Sequence, residues 1–142
     1  MENRHLCRGK RTDNGEWVEG FYFCMTHPNG RHTHHFIIPL GTDLSLGTPI
    51  EKIQVEVDSD TICWCTGLKD KNGKLIWEND IANCMDAECC GYISWNESEA
   101  GFYFNVLLED GRFEEEHIYD YQDCMEVIGN NFDNPELLEV GE

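Results

Sequence analysis

In Thr66-Gly67-Leu68-Lys69-Asp70-Lys71-Asn72-Gly73-Lys74-Leu75-Ile76-Trp77-Glu78-Asn79-Asp80-Ile81, a tight Asn72-Gly73 turn feeds a half-buried strand that carries Trp77. Asn-Gly suits a two-residue hairpin because both residues tolerate positive φ. The stretch therefore reads as antiparallel sheet. It holds no nucleophile and no metal cage. Thr66-Gly67-Leu68 has one glycine and no Lys-Ser/Thr helix start behind it, so it is not a phosphate cradle.

The same punctuation recurs outward in both directions, at Asn14-Gly15, Asn29-Gly30 and Asp110-Gly111. Short aromatic or β-branched runs lie between the turns. Residues 17–25 and 36–40 flank a histidine-rich loop. Ile53, Val55 and Val57 alternate with polar neighbours, which implies one buried face. Residues 91–95 and 102–108 predict another hairpin, with Phe102, Phe104, Val106 and Leu108 on one side. Trp17, Trp77 and Trp95 all fall on predicted strands and are expected to fill an interior. Helix signals are sparse. Residues 113–121 suit either two helical turns or a solvated loop, and Asn134-Pro135 opens a single turn expected to lay Leu137 and Leu138 over a sheet edge. The expected fold is mainly β: small, barrel-like, SH3-like sheets joined by tight hairpins, with little helix. Two modules are expected, an N-terminal β module at residues 1–62 and an acidic barrel at residues 63–142. Residues 41–60 read as either linker or insertion.

At 142 residues the chain can bury a core without staples, and 40% hydrophobic content argues against disorder. No basic start leads into an apolar run and no stretch approaches membrane length, so a cytoplasmic protein off the membrane is expected. Charge is unevenly placed. Residues 1–74 hold nine Lys/Arg against ten Asp/Glu, whereas residues 75–142 hold one cation, Arg112, against 18 acids. A surface of that sign repels phosphate backbones, so direct nucleic-acid binding is not expected. Excess acid keeps a small protein soluble. It also suits an acidic face that imitates nucleic acid or docks a basic partner.

Eight cysteines, Cys7, Cys24, Cys63, Cys65, Cys84, Cys89, Cys90 and Cys124, contain no Cys-x-x-Cys pair, so a zinc knuckle is not expected. In a reducing compartment they read as buried free thiols. Cys89 and Cys90 would point to opposite faces of an extended chain. His32, His34 and His35, with His27 nearby, are the better metal candidates, yet solvated loop histidines are the plainer reading. No cofactor is implied. Asp80, His117 or the histidine cluster could serve a small hydrolase only as an acid and base within hydrogen-bond reach. No recognisable catalytic arrangement of them occurs.

Taken together, residues 8–20 and His35-Phe36-Ile37-Ile38-Pro39 resemble the opening of the YopX family of bacteriophage and prophage proteins. Residues 66–81 are similar to that family's central signature, and Gly91-Tyr92-Ile93-Ser94-Trp95 to its next strand. Glu126-Val127-Ile128-Gly129-Asn130 with Asp133-Asn134-Pro135-Glu136-Leu137-Leu138 resembles its C-terminal signature. Asn79 stands where the family usually has glycine, and asparagine is the substitute that best tolerates left-handed backbone. Cys63-Trp64-Cys65 also departs from the usual lead-in. The resemblance implies a small, mainly β phage or prophage protein and carries over no catalytic residue. It leaves Asn72-Gly73, Trp77 and Asp80 as architecture, with Asp80 receiving backbone donors at a turn. The expectation is a non-enzymatic accessory protein acting by protein–protein contact, as a homo-oligomer or on a host partner. The alternative is an acidic, nucleic-acid-mimicking inhibitor of a host DNA-processing enzyme.

Overall fold

In the computed structural model, which describes residues 3–139, the chain divides into two compact units within a strand, between Trp64 and Cys65. The first unit is built on β1 (Cys7–Lys10), β2 (Trp17–Thr26), β3 (Thr33–Pro39) and β4 (Val55–Glu56). They pair antiparallel in the order β4-β3-β2-β1, and the start of β5 (Cys63–Lys69) adds to β1 through Cys7↔Trp64 and Arg8↔Cys63. The Asn14-Gly15 and Asn29-Gly30 turns connect these strands, with both glycines at positive φ. The core is small: Cys7, Ile37 and Val57, packed against Val18, Tyr22 and Ile62. Arg8 lays its guanidinium 4.6 Å from the Trp17 ring centroid, a cation–π contact on the half-buried tryptophan. Residues 41–48 carry no strand. Thr61 then ties the connection down, its hydroxyl accepting from the Lys10 backbone N–H at 2.8 Å and donating to the Asp58 carbonyl at 2.7 Å.

The second unit takes the rest of β5, which hairpins to β6 (Leu75–Trp77), and an antiparallel sheet ordered β10-β9-β8-β7-β11. Its strands are β7 (Asp80–Cys84), β8 (Cys89–Asn96), β9 (Gly101–Leu107), β10 (Phe113–His117) and β11 (Met125–Asn130). The predicted hairpin forms, with Asn96 opposite Gly101 and Ile93 opposite Phe104. Phe104, Ile93, Ile76, Ala82, Met125, Val127 and Ile118 make the core, and Phe102 and Val106 pack against it from the predicted face of β9. β8 and β9 approach closely at Gly91, where a Cβ would run into the Asn105 carbonyl. No helix among the described residues is long and apolar enough to cross a membrane.

The mainly β class holds, and four finer expectations do not. The five-stranded sheet is open, with β10 and β11 at its edges, so it is not a closed barrel. After β10 the chain makes a 3-10 turn, Ile118–Asp120, which sends Ile118 into the core instead of carrying strand pairing on to β11. Residues 113–117 are strand, not helix, because their backbone pairs with β9 from Leu107 to Tyr103. The tryptophans also separate. Trp77 is 2% exposed, whereas Trp95 is 44% exposed and meets only the edge-on ring of Phe102 among the aromatic contacts described. The Pro135–Leu138 turn forms as a 3-10 helix, yet it buries neither Leu137 nor Leu138.

Phe104→Ala is expected to cost about 3–5 kcal/mol, as for large aromatic truncations in a filled core. Trp95→Ala should cost less than about 1.5 kcal/mol, the order of one aromatic pair. Urea unfolding of the two variants checks the ranking, and equal losses would contradict the burial described.

Candidate functional site

The central and C-terminal signature segments meet in the second unit. At the β5–β6 turn, Asp70 is 6% exposed. Its Oδ1 accepts from the backbone N–H groups of Asn72 and Lys74, both at 2.9 Å, closing the turn from within. Its Oδ2 accepts from the Val127 N–H at 3.0 Å, 57 residues away in β11. The Lys71 N–H donates to the Met125 carbonyl at 3.0 Å, so the hairpin tip takes up outward-facing backbone groups of an edge strand. Two exposed side-chain contacts to Glu126 reinforce this junction, from Asn72 Nδ2 at 3.4 Å and from Lys71 Nζ at 3.7 Å.

Burial alone would push the Asp70 carboxyl up. The N–H groups of Val127, Lys74 and Asn72, aided by the Lys74 charge, outweigh it and hold the group below the ordinary carboxylate range.

The turn that follows β6 works in the same way. Asp80, 1% exposed, accepts the Trp77 N–H on Oδ2 at 2.8 Å. Asn79 takes φ 70°, the left-handed conformation its side chain tolerates. Its N–H donates to Ile93 of β8 at 2.8 Å, and its carbonyl accepts from Asn131 at 2.9 Å. At the end of β11, Asn130 Oδ1 accepts from the N–H groups of Phe132 and Asp133, while its own N–H donates to Asn134 Oδ1 at 3.2 Å. A Cβ on Gly129 would stand 2.5 Å from Asn134 Oδ1, which explains the glycine. β11 carries a register shift between Val127 and Gly129, just ahead of this turn.

The hydrolase candidates are not brought together. Asp80 lies on β7 and the exposed His117 on β10, with β8 and β9 between them. His117 instead tilts against Tyr103. The histidine cluster lies on the β2–β3 hairpin of the first unit. His27 Nε2 sits 3.2 Å from His34 Nε2, and His34 Nδ1 is 2.7 Å from Glu56 Oε2. His32 meets His27 edge-on, and His35 turns away to Tyr22, with Nδ1 2.6 Å from the phenol oxygen. Among the described residues no group of three or more His, Cys, Asp or Glu side chains is arranged to hold a metal ion.

The cysteines depart from the expected buried free thiols: Cys7, Cys63 and Cys65 are buried, but Cys24 is exposed and two others are bridged. Cys84 and Cys124 form a disulfide with Cα atoms 5.2 Å apart. Cys124 immediately precedes Met125, the partner of Cys84 across β7 and β11, which brings the two within bridging range. Cys89 and Cys90 are half-buried free thiols on opposite faces of β8, and burial pushes both above the ordinary thiol range. Sequence reasoning missed both Asp70 and the disulfide. Asp70 left a signal, since Asp-x-Asn-Gly is an aspartate placed to cap its own turn. The disulfide left none, because pairing across 40 residues depends on strand order.

The family model for the YopX protein matches residues 8–139. The chain belongs to the YopX family. Among solved structures, it is similar to protein EF1440 from Enterococcus faecalis, with 28% identity, 94% of this chain and 96% of that one covered, and a TM-score of 0.49. No curated protein matches it.

Asp70→Asn removes the charge that three backbone donors share and presents an amide donor to one of them. A loss of about 2–4 kcal/mol in urea unfolding is expected, given roughly 1.5–3 kcal/mol for a hydrogen bond to a charged group. The depressed folded-state value makes this stabilisation fully present above the unfolded carboxyl value near 3.9 and lost as pH falls through the folded one. Wild-type stability should therefore drop on acidification below about pH 4 more steeply than that of Asp70→Asn. Parallel acid profiles would show that the carboxylate does not carry the junction.

Proposed function

We propose that this YopX-family chain is a non-enzymatic phage or prophage accessory protein that acts in the bacterial cytoplasm by contact with another protein. The reading rests on one observation above all. Four polar residues of the signature segments, Asp70, Asp80, Asn130 and Asn134, accept hydrogen bonds from backbone N–H groups. Side chains committed in this way build a scaffold, and a scaffold of this kind offers surface.

The surface favours a basic partner. Residues 75–142 carry one cation against 18 acids, and three acids in a row, Glu114-Glu115-Glu116, lie along the open edge strand β10. Such a field attracts a cationic protein and speeds encounter at low salt. It supports an inhibitor of a host DNA-processing enzyme as the narrower form of the same reading. Self-association is the second form, and the charge of β10 points away from that strand as its seam, because two acidic edges would repel each other.

Capture from host lysate on the immobilised full chain is expected to enrich cationic DNA-processing proteins at low salt and to lose them at high salt. A charge-reversed Glu114→Lys/Glu115→Lys/Glu116→Lys variant should capture them more weakly. Retention of the same proteins by that variant would remove the acidic edge from the proposal. Light scattering on the eluting peak decides self-association, and a monomer at high concentration would end that form of the reading.

A further inference from the structure

We propose that Cys84, Cys124 and Cys89 form a thiol-exchange site, in which the Cys89 sulfur displaces Cys124 from the buried Cys84.

Cys84 and Cys89 are direct partners in the β7–β8 register. Directly opposed residues of an antiparallel pair point to the same face, with Cβ atoms about 4.5–5.5 Å apart. That is close to what a disulfide between neighbouring strands needs. The face is settled independently by packing. Cys84 continues the side of Ala82, and Cys89 that of Ile93, both core residues, and Cys89 itself packs against that core. Tyr121 packs against the same cluster, and Cys124 Sγ lies 3.3 Å from the Tyr121 carbonyl. Cys89 and both sulfurs of the bridge therefore share one corner of the unit. Cys90 points to the other face, where its sulfur is 4.0 Å from the Leu137 carbonyl.

Access selects the reaction. Cys84 is fully buried, so an external thiol reaches its sulfur poorly, whereas Cys89 already stands beside it. The turn between them, a 3-10 segment at Met85–Ala87 followed by Glu88 at φ 52°, gives the short loop that a new bridge would close. In the exchange Cys89 loses its proton and its thiolate attacks Cys84 Sγ. The Cys84–Cys124 bond breaks, the Cys84–Cys89 bond forms, and Cys124 leaves as a thiolate that takes up a proton. No net oxidant or reductant is consumed. The bond that tethers the start of β11 to β7 is thereby replaced by one that does not reach β11, and the half-buried Cys124 becomes a free thiol.

The test uses the oxidised full chain, incubated at mildly alkaline pH with a trace of reduced glutathione, quenched in acid, alkylated and mapped by mass spectrometry without reduction. Wild type is expected to gain a Cys84–Cys89 linkage at the expense of Cys84–Cys124. Cys89→Ser should keep the Cys84–Cys124 linkage and form no Cys84–Cys89 linkage, and Cys90→Ser should behave as wild type, which also separates the two neighbouring sulfurs in the map. Cys124→Ser, oxidised with glutathione disulfide, should close Cys84–Cys89 alone. A wild-type map that holds only Cys84–Cys124, with Cys89 alkylated throughout, overturns the proposal, as does a new bond to Cys90. The wild-type measurement stands even if the Cys124 variant fails to fold.

Discussion

The second unit depends on one buried carboxylate. An open antiparallel sheet leaves a row of backbone donors and acceptors along each edge strand, and a chain of this size must cover or blunt them. Asp70 and its hairpin cover part of one edge. The carboxylate accepts the Val127 N–H, the neighbouring Lys71 N–H reaches the Met125 carbonyl, and the Asn72-Gly73 turn is held by the same carboxylate from inside. Closing the turn and covering the strand are thus one act. Each hydrogen bond to an ionised acceptor contributes more than a neutral one, and leaving the donors unpaired would cost the desolvation of each.

This arrangement gives the central and C-terminal segments of this chain a physical role. The central segment supplies the hairpin and the Asn79 turn, and the C-terminal segment supplies the strand and the Asn130 turn that they meet. Asn79 shows the coupling most directly, since its left-handed backbone lets it donate to Ile93 and accept from Asn131 at once. Gly129 is needed because the Asn134 amide occupies the space a side chain would take. Residues far apart in the chain are therefore restrained together.

What the sequence disclosed follows the range of the forces involved. The hairpin turns were legible because Asn-Gly and Asp-Gly act within a few residues, and the face of β9 was legible because alternation is local. Barrel closure was not, since it depends on whether β10 and β11 pair, and the chain between them instead commits Ile118 to the core. The exposure of Trp95 is not legible, because strand membership does not fix which face is covered. The Glu114–Glu116 run illustrates the same limit. Its acids carry no periodicity of their own, and only pairing with β9 makes them a strand. Of the candidate residues, Asp80 is legible at a turn receiving backbone donors; the local capping by Asp70 is legible in Asp-x-Asn-Gly as well, whereas its bond to Val127 in β11 is not. The Cys84–Cys124 bond was hidden for the same reason: it joins strands whose adjacency only the finished sheet reveals.

The two edges of the five-stranded sheet are handled differently, and the difference bears on function. The β11 edge is covered by the chain's own hairpin tip, with ordered, buried hydrogen bonds. The β10 edge is left open and carries Glu114, Glu115 and Glu116, with Glu115 also accepting from Asn96 at 2.9 Å. Charge on an edge strand deters pairing with a second copy, because like charges would stand opposite each other in the new ladder. The same charge lowers the barrier to a cationic strand, whose side chains would neutralise it while its backbone completes the row. An edge that needed only silencing could have been covered like β11 or broken by proline. A strand with three consecutive acids between Phe113 and His117 keeps a backbone ladder available while its charge opposes a second copy of itself, which is the physical basis for the proposed preference for basic partners.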